Sequence, residues 1–244
     1  SATVDTNIIV LRKGAYTEPT NAVTATPDFD TKNMSVYIRQ NINRMTFQLG
    51  DSWAILSPIE QSIKHKIEAA GVPLRDWDVK INRGILTGLN EAFIIDDKKR
   101  DELIKLDPKS AELIRPILRG KDIKKNRYDF KNQYLIVAHN GYKDIDGNVL
   151  PSIDISHYPA IKAWLDSEAW NTKPDKGSSR ERLFGRGDKG NTPYNLRDCA
   201  YMDDFFRQKI IFSRISGDEP CFSLDNDGYM TNDTGYILTG DNLD

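Results

Sequence analysis

Cationic side chains concentrate in two stretches of this chain, and both have the composition of a polyanion-binding surface. The first, Arg115 to Lys131, holds Arg115, Arg119, Lys121, Lys124, Lys125, Arg127 and Lys131 against Asp122 and Asp129, seven minus two or a local +5. Tyr128 and Phe130 are interleaved with these cations, and Asn126 adds an amide. Arg and Lys in such a run gain affinity for a phosphate backbone by releasing its condensed counterions. The same residues also suit a solvated helix face whose cations complement a helix C-terminus. The second stretch, Lys173 to Arg197, holds Lys173, Lys176, Arg180, Arg182, Arg186, Lys189 and Arg197 against Asp175, Glu181 and Asp188, a local +4. Gly177, Gly185, Gly187 and Gly190 lie between them. A glycine-rich loop bearing arginines can enter a groove, where a guanidinium forks onto guanine. An ordinary surface insertion has the same composition.

Neither patch comes from bulk charge. The chain has 244 residues, 34 Lys+Arg and 36 Asp+Glu, for a net charge of −2. That balance excludes a histone-like protein and leaves a local basic face open. The length suits one large domain or two small ones. No apolar run approaches the roughly 18 residues of a membrane helix, and the segment Ser1 to Thr6 has neither the basic nor the apolar region of an export signal. A cytoplasmic protein without a membrane partner is expected. No Met opens the chain, which reads as a piece of something longer. Cys199 and Cys221 are isolated, and His65, His139 and His157 are scattered, so neither a zinc site nor a catalytic triad is expected.

Other motifs are incomplete. Asn191-Thr192-Pro193-Tyr194 is one residue from the Asn-Pro-Pro-Tyr tetrapeptide that holds an extruded adenine in amino-methyltransferases, but no upstream glycine loop for S-adenosylmethionine precedes it. Pro27-Asp28 with Asp30-Thr31-Lys32 is similar to a nuclease metal motif, with its acidic positions too close together for a strand pair. A turn is the better reading. Asp144 to Asn148 and Asp225 to Gly228 lack the further ligands and closing Glu of a calcium loop and are expected as hairpin turns. No catalytic constellation is complete, so catalysis by these residues is not expected.

The elements that must carry the cations follow from patterning. Ile8 to Leu11 reads as a strand buried on both faces, and Met34 to Arg39 as a half-buried strand. Ser57-Pro58-Ile59-Glu60 is a capping box with Pro at the first helical position, and Ile59, Ile63, Ile67 and Ala70 share one face of the helix it opens. Gly71 and Pro73 end it. Strands are predicted over Trp77–Ile81 and Ala92–Ile95, joined by the glycine turn 82–90. Helices are predicted from about Asp97 to Lys105, from Pro108 to Leu118, and after Ser156 around Ile161, Trp164 and Leu165. Tyr134–Ala138 and Lys209–Ser213 read as strands, and a β-meander follows from Cys221 to Leu238. Strands and helices mix without strict alternation, which gives α+β.

The order of these blocks carries a resemblance. Ile81 to Asp96, with its Asn82-Arg83-Gly84-Ile85-Leu86-Thr87-Gly88-Leu89-Asn90 turn, resembles the opening signature of the TaqI-like specificity domain of type IIG restriction-modification enzymes and adenine-N6 DNA methyltransferases. Ile114 to Ile123, Arg186 to Arg197, Lys209 to Ile211, and Gly228 through Thr239 resemble the later blocks, in the same order. Val4 to Leu11 is similar to the last strands of a preceding methyltransferase domain. The resemblance implies an α+β, mixed-sheet target-recognition domain with short helices over residues 56–244. Residues 1–55 would be the terminal strands of an α/β methyltransferase domain. It implies double-stranded DNA and the methyltransferase domain of the same chain as partners. No cofactor is expected in this fragment. S-adenosylmethionine, and Mg where a nuclease domain is present, would belong to the parent. Arg119, Lys121, Lys124, Lys125 and Arg127 are then expected to contact phosphates, and Arg180, Arg182, Arg186, Lys189 and Arg197 to contact a groove or backbone. Arg83, Thr87 and Asn90 would face DNA or the methyltransferase domain, with Gly84 and Gly88 serving backbone geometry. A non-catalytic protein-interaction or scaffolding domain is the rival reading. A nuclease fragment using Asp28, Asp30 and Lys32 is a poorer third.

Overall fold

The computed structural model describes residues 8–15, 19–26, 29–47, 54–215, 220–241 and 243. The chain divides into two compact units, Ser1–Asp76 and Trp77–Asp244.

In the first unit, strands β1 (Thr20–Ala22) and β2 (Asn43–Met45) pair antiparallel. Between them lies helix α1 (Met34–Asn41), where the sequence pattern predicts a strand. Asp30 explains the difference. Its carboxylate accepts from Lys32 N at 2.9 Å and opens a 3-10 turn, Thr31–Asn33, that runs on into α1. A window of six residues fits both periods, and local capping decides between them. Ile8 to Leu11, also predicted as a strand, has no strand assignment and no sheet partner among the described residues and is 64–91% exposed. An apolar run is buried on both faces only when strands flank it on both sides.

Helix α2 (Pro58–Ala70) forms as its capping box dictates. Ser57 Oγ accepts from Glu60 N at 3.4 Å, and Glu60 Oε2 accepts from Ser57 N at 2.7 Å. The Ser57 main-chain N–H holds the Glu60 carboxyl below its usual range.

The second unit is built on two four-stranded sheets. Its elements in chain order begin with β3 (Val79–Arg83), α3 (Asn90–Phe93), β4 (Ile94–Asp96) and α4 (Asp97–Leu106). Next come β5 (Ile114–Leu118), β6 (Ile123–Lys124), β7 (Arg127–Tyr128), β8 (Gln133–Ile136), β9 (Tyr142–Lys143) and β10 (Val149–Leu150). Helices α5 (Pro159–Asp166) and α6 (Ser179–Gly185) precede β11 (Lys209–Ser213), β12 (Phe222–Asp225), β13 (Met230–Thr231) and β14 (Gly235–Gly240). The arrangement is α+β. One sheet has the order β13-β5-β8-β4 and the other β12-β11-β14-β3. Fully buried Phe93, Leu118, Leu135, Ile136, Ile161, Leu165, Ile211 and Ile237 lie in one core that both sheets and α5 share.

Several elements differ from the pattern-based expectation. The helix predicted over Pro108–Leu118 is a 3-10 turn, Pro108–Glu112, followed by β5. Pro116 drives Arg115 out of helical conformation. It stands at the step where the pairing of β5 passes from β8 to β13, and needs no N–H there. Ala92 and Phe93 end a short helix rather than opening a strand. Ser156 is not a cap. Asp154 accepts from Ser156 N at 2.9 Å, and Pro159 opens α5. The closing segment is not a meander, because β12 and β14 flank β11 on opposite sides. Asp144–Asn148 does close a hairpin, between β9 and β10. The turn at Asp225–Gly228 instead leads from one sheet to the other.

A buried ion pair sets the register of the β11 sheet. Lys209 and Asp225, opposite one another on β11 and β12, are both wholly buried with Nζ and Oδ2 2.6 Å apart. Lys209 Nζ also donates to Phe205 O at 2.6 Å. Asp225 accepts from Asp227 N and Tyr229 N, each at 3.0 Å. Burial pushes the Lys209 ammonium toward its neutral form, and Asp225 opposes that shift. Lys209→Met, which strands the carboxylate, should lower stability by about 3–5 kcal/mol in a denaturant titration. Adding Asp225→Asn should restore part of it, and an unchanged midpoint for the single variant would contradict the assignment.

Candidate nucleic-acid interface

The first basic stretch forms a 3-10 turn, Gly120–Asp122, and the β6–β7 hairpin. Arg119 is held internally, with Nε and a terminal nitrogen on the two Asp122 carboxylate oxygens at 2.8 and 3.1 Å. Burial pushes the Asp122 carboxyl up, but the Arg119 guanidinium and main-chain N–H outweigh it and hold the group below its usual range. Lys121, Lys125 and Arg127 are exposed, Lys124 is half-buried with Nζ on Lys121 O at 2.7 Å, and Arg127 pairs with Asp129. Tyr128 and Phe130, the interleaved aromatics, pack on Tyr229 with ring centroids 4.9 and 5.2 Å away. They brace the hairpin from beneath.

Sheet register then brings distant cations to this place. Asn126 N donates to Phe222 O at 2.8 Å, which sets the hairpin tip beside β12. Gly120 N donates to Thr234 Oγ1 at 2.8 Å, and Arg214 N donates to Thr234 O at 2.8 Å, so Lys121 and Arg214 flank one residue. Arg83 ends β3 opposite Tyr236, itself opposite Phe212. Arg83, Arg214 and the cations 121–127 thus gather at one end of the β12-β11-β14-β3 sheet. Arg214 was missed by sequence reasoning, since only strand register makes it a neighbour of Lys121.

At the β3 edge, Arg83, Ile85, Arg197, Asp198, Cys199 and Tyr201 line a small cleft. The Arg83 guanidinium lies against the Tyr201 hydroxyl, and Arg197 pairs with Asp188 at 2.9 Å. Burial pushes the Cys199 thiol up to about 12. This cleft joins one residue of the second basic stretch to the cationic sheet end.

The rest of that stretch serves the interior of the domain. Arg186, 6% exposed, donates to five main-chain carbonyls: Thr87 at 3.1 Å, Asp188 at 3.2 Å, Leu183 at 2.9 Å, Asn195 at 2.6 Å, and Pro193. Its guanidinium lies 4.7 Å from the Phe93 ring centre. Burial lowers it to about 10. Arg182 reaches Glu91 and Asn171 and is 11% exposed. Lys173 is also bound to Glu91, at 2.9 Å. The Lys173 ammonium, with help from Arg182, draws the Glu91 carboxyl down to about 2 against its burial. Arg180 is exposed over the Phe184 ring, and Lys189 caps the α6 end through Phe184 O. Thr87 is buried, donates to Asn90 Oδ1 at 2.6 Å and accepts from Leu89 N at 3.1 Å, so it and Asn90 shape the start of α3. Arg182, Arg186 and Thr87 are thus engaged with partners inside the domain, where the sequence reading expects them at a DNA-facing surface.

The two glycines of the turn have geometric reasons. A Cβ on Gly84 would lie 1.9 Å from Asn232 O, and Gly88 has φ +66° beside the Asp188 carbonyl. Asn191–Tyr194 is a turn held by Thr192 Oγ1, which donates to Asn195 Oδ1 at 2.6 Å. Pro27 and Asp28 lie outside the described residues, and Asp30 is a helix cap.

No protein-family model and no curated protein matches the chain. Among solved structures it is similar to the type IIL restriction-modification enzyme MmeI, determined in complex with DNA, with a TM-score of 0.39 and 14% identity. The match covers 65% of this chain and 19% of that enzyme, so the chain spans about a fifth of its length. A likeness at that level says nothing of what this chain binds. The family resemblance stands on the sequence blocks alone. No helix among the described residues is long and apolar enough to cross a membrane.

Arg186→Met should take the guanidinium donor from carbonyls of both loops, Thr87 O and Pro193 O among them, and lower stability by about 3 kcal/mol or more, read from a denaturant midpoint. Arg186→Lys, with fewer donors and no planar fork, should recover little of that loss. Full stability of either variant would contradict the interior role.

Proposed function

We propose that this chain binds duplex DNA as the target-recognition part of a restriction-modification enzyme or adenine-N6 DNA methyltransferase. The observation that carries the reading is the gathering of Arg83, Arg214 and the cations 121–127, from three separated segments, at one sheet end. Cations converging from distant positions in a chain of net −2 suit a polyanion better than a solvated helix face does. Lys121, Lys124, Lys125 and Arg127 would contact phosphates, with Arg83 and Arg197 beside them at the cleft. Arg119 would act indirectly, by fixing the turn that presents Lys121. Exposed Arg180 and Lys189 remain candidates for a second contact. On this reading the resembling blocks 81–96, 114–123 and 186–197 present the duplex so that a target adenine reaches a methyltransferase domain outside these residues. S-adenosylmethionine would be bound there, and Mg by a nuclease domain where one exists.

A second reading, a non-catalytic protein-interaction module, draws on one observation. Ile59, Ile63 and Ile67 of α2 form an apolar stripe that is 73, 51 and 64% exposed. Salt separates the two. Duplex affinity should fall steeply with salt, and Lys121→Gln/Lys124→Gln/Lys125→Gln should flatten the slope of log affinity against log salt by about 2–3, at roughly 0.9 per phosphate lost. The variant's thermal midpoint should stay near that of the unmodified chain. An unchanged slope would overturn the phosphate assignment.

A further inference from the structure

The β12-β11-β14-β3 sheet has one face in the core and one outside it. Lys209, Ile211, Ser223, Asp225, Ile237 and Thr239 are buried on the inner face. The outer face carries two cross-strand rows. One is Phe222, Phe212, Tyr236 and Arg83, and the other is Leu224, Ile210, Leu238 and Ile81. Phe222 is 49% exposed, Ile81 46% and Leu224 37%, Arg83 is exposed too, and Phe212, Tyr236, Ile210 and Leu238 are half-buried. The aromatic row is ordered. Phe212 and Tyr236 stack with centroids 5.4 Å apart and planes 18° from parallel, and Phe222 follows Phe212 at 5.2 Å and 35°.

The charge at the ends of this row points to what it takes. Beyond Phe222 lies the hairpin tip with Lys124, Lys125 and Arg127, and beyond Tyr236 lies Arg83. From β12 to β3 is three strand spacings, about 14 Å. That is too narrow for a stable copy-to-copy interface, which buries on the order of 800 Å² per partner. It matches two or three unpaired nucleotides, whose bases are flat and apolar and whose phosphates are anionic. We propose that this face is a stacking platform for unpaired DNA bases, with Phe222 and Tyr236 extending the ring stack onto bases and the flanking cations holding the backbone. The inference rests on the nucleic-acid reading of the cationic sheet end and adds a single-stranded partner to it.

The test uses the 244-residue chain, with fluorescein-labelled oligothymidine and a labelled duplex measured separately by anisotropy. Phe222→Leu/Tyr236→Leu keeps apolar bulk on the strands and should weaken single-strand binding about tenfold or more while leaving duplex binding unchanged. Phe222→Trp should restore binding to the single Tyr236→Leu variant and show indole quenching, absent from the unmodified chain, on adding oligothymidine. Single-strand affinity that ignores the aromatic variants but falls in the triple lysine variant would overturn the platform. So would a concentration-dependent dimer abolished by the leucine variants. Duplex binding without single-strand binding would sink this inference alone, whereas aromatic-dependent single-strand binding without duplex binding would sink only the duplex reading.

Discussion

The pairing of Lys209 with Asp225 is the constraint on which the candidate surface depends. Side chains alternate between the faces of a strand, so a one-residue slip of β11 against β12 would turn Phe212 and Ile210 inward. The same slip would turn Lys209 outward with them and leave the buried Asp225 carboxylate without its ammonium, at a cost of several kcal/mol. The correct register puts Ile211 and Ile237 into the core and leaves the aromatic row outside. Asp225 extends that control beyond the sheet. Its second role, accepting the Asp227 and Tyr229 N–H groups, directs the chain from β12 to β13. Tyr229 is the residue on which the aromatic base of the hairpin rests.

The two basic stretches divide into different tasks. In the glycine-rich one, Arg186 acts as a rivet. A guanidinium carries its N–H donors in a rigid plane, and here Nε and Nη1 each reach two carbonyls and Nη2 one, five in all from the end of α6 and the loops beside it. The loop 186–197 is thereby joined to the Thr87–Gly88 turn, and both are fixed beside the cleft that holds Arg83 and Arg197. In the other stretch, Asp122 orders Arg119, the aromatics support β7, and the remaining cations are left at the surface.

Local signals were legible in the sequence wherever a side chain acts on its own neighbours. The Ser57–Glu60 box, the strand Lys209–Ser213, the buried face of Ile161 and Leu165, and the geometric need at Gly84 and Gly88 were all readable that way. Legibility failed where two local signals compete, or where a distant contact decides. Met34–Arg39 fits two periods, and the Asp30 turn upstream selects the helix. Pro108 announces a helix that Pro116 forbids. Counting charges along the chain also treats every arginine in a polar loop as external, and Arg182 and Arg186 show why that fails. Their partners, Glu91 and the carbonyls of two loops, are brought near only by the fold. Arg214 and the row of Phe222, Phe212 and Tyr236 were invisible for the same reason, since neither exists until four strands pair.

Lysine modification with and without bound duplex tests the central claim most directly, because it reads every ammonium of one sample at once. The account predicts that duplex DNA slows acetylation of Lys121, Lys124 and Lys125 severalfold while leaving Lys98 and Lys105 on α4 unchanged. Protection confined to α4, or equal protection at all exposed lysines, would contradict a binding surface at the end of the β11 sheet.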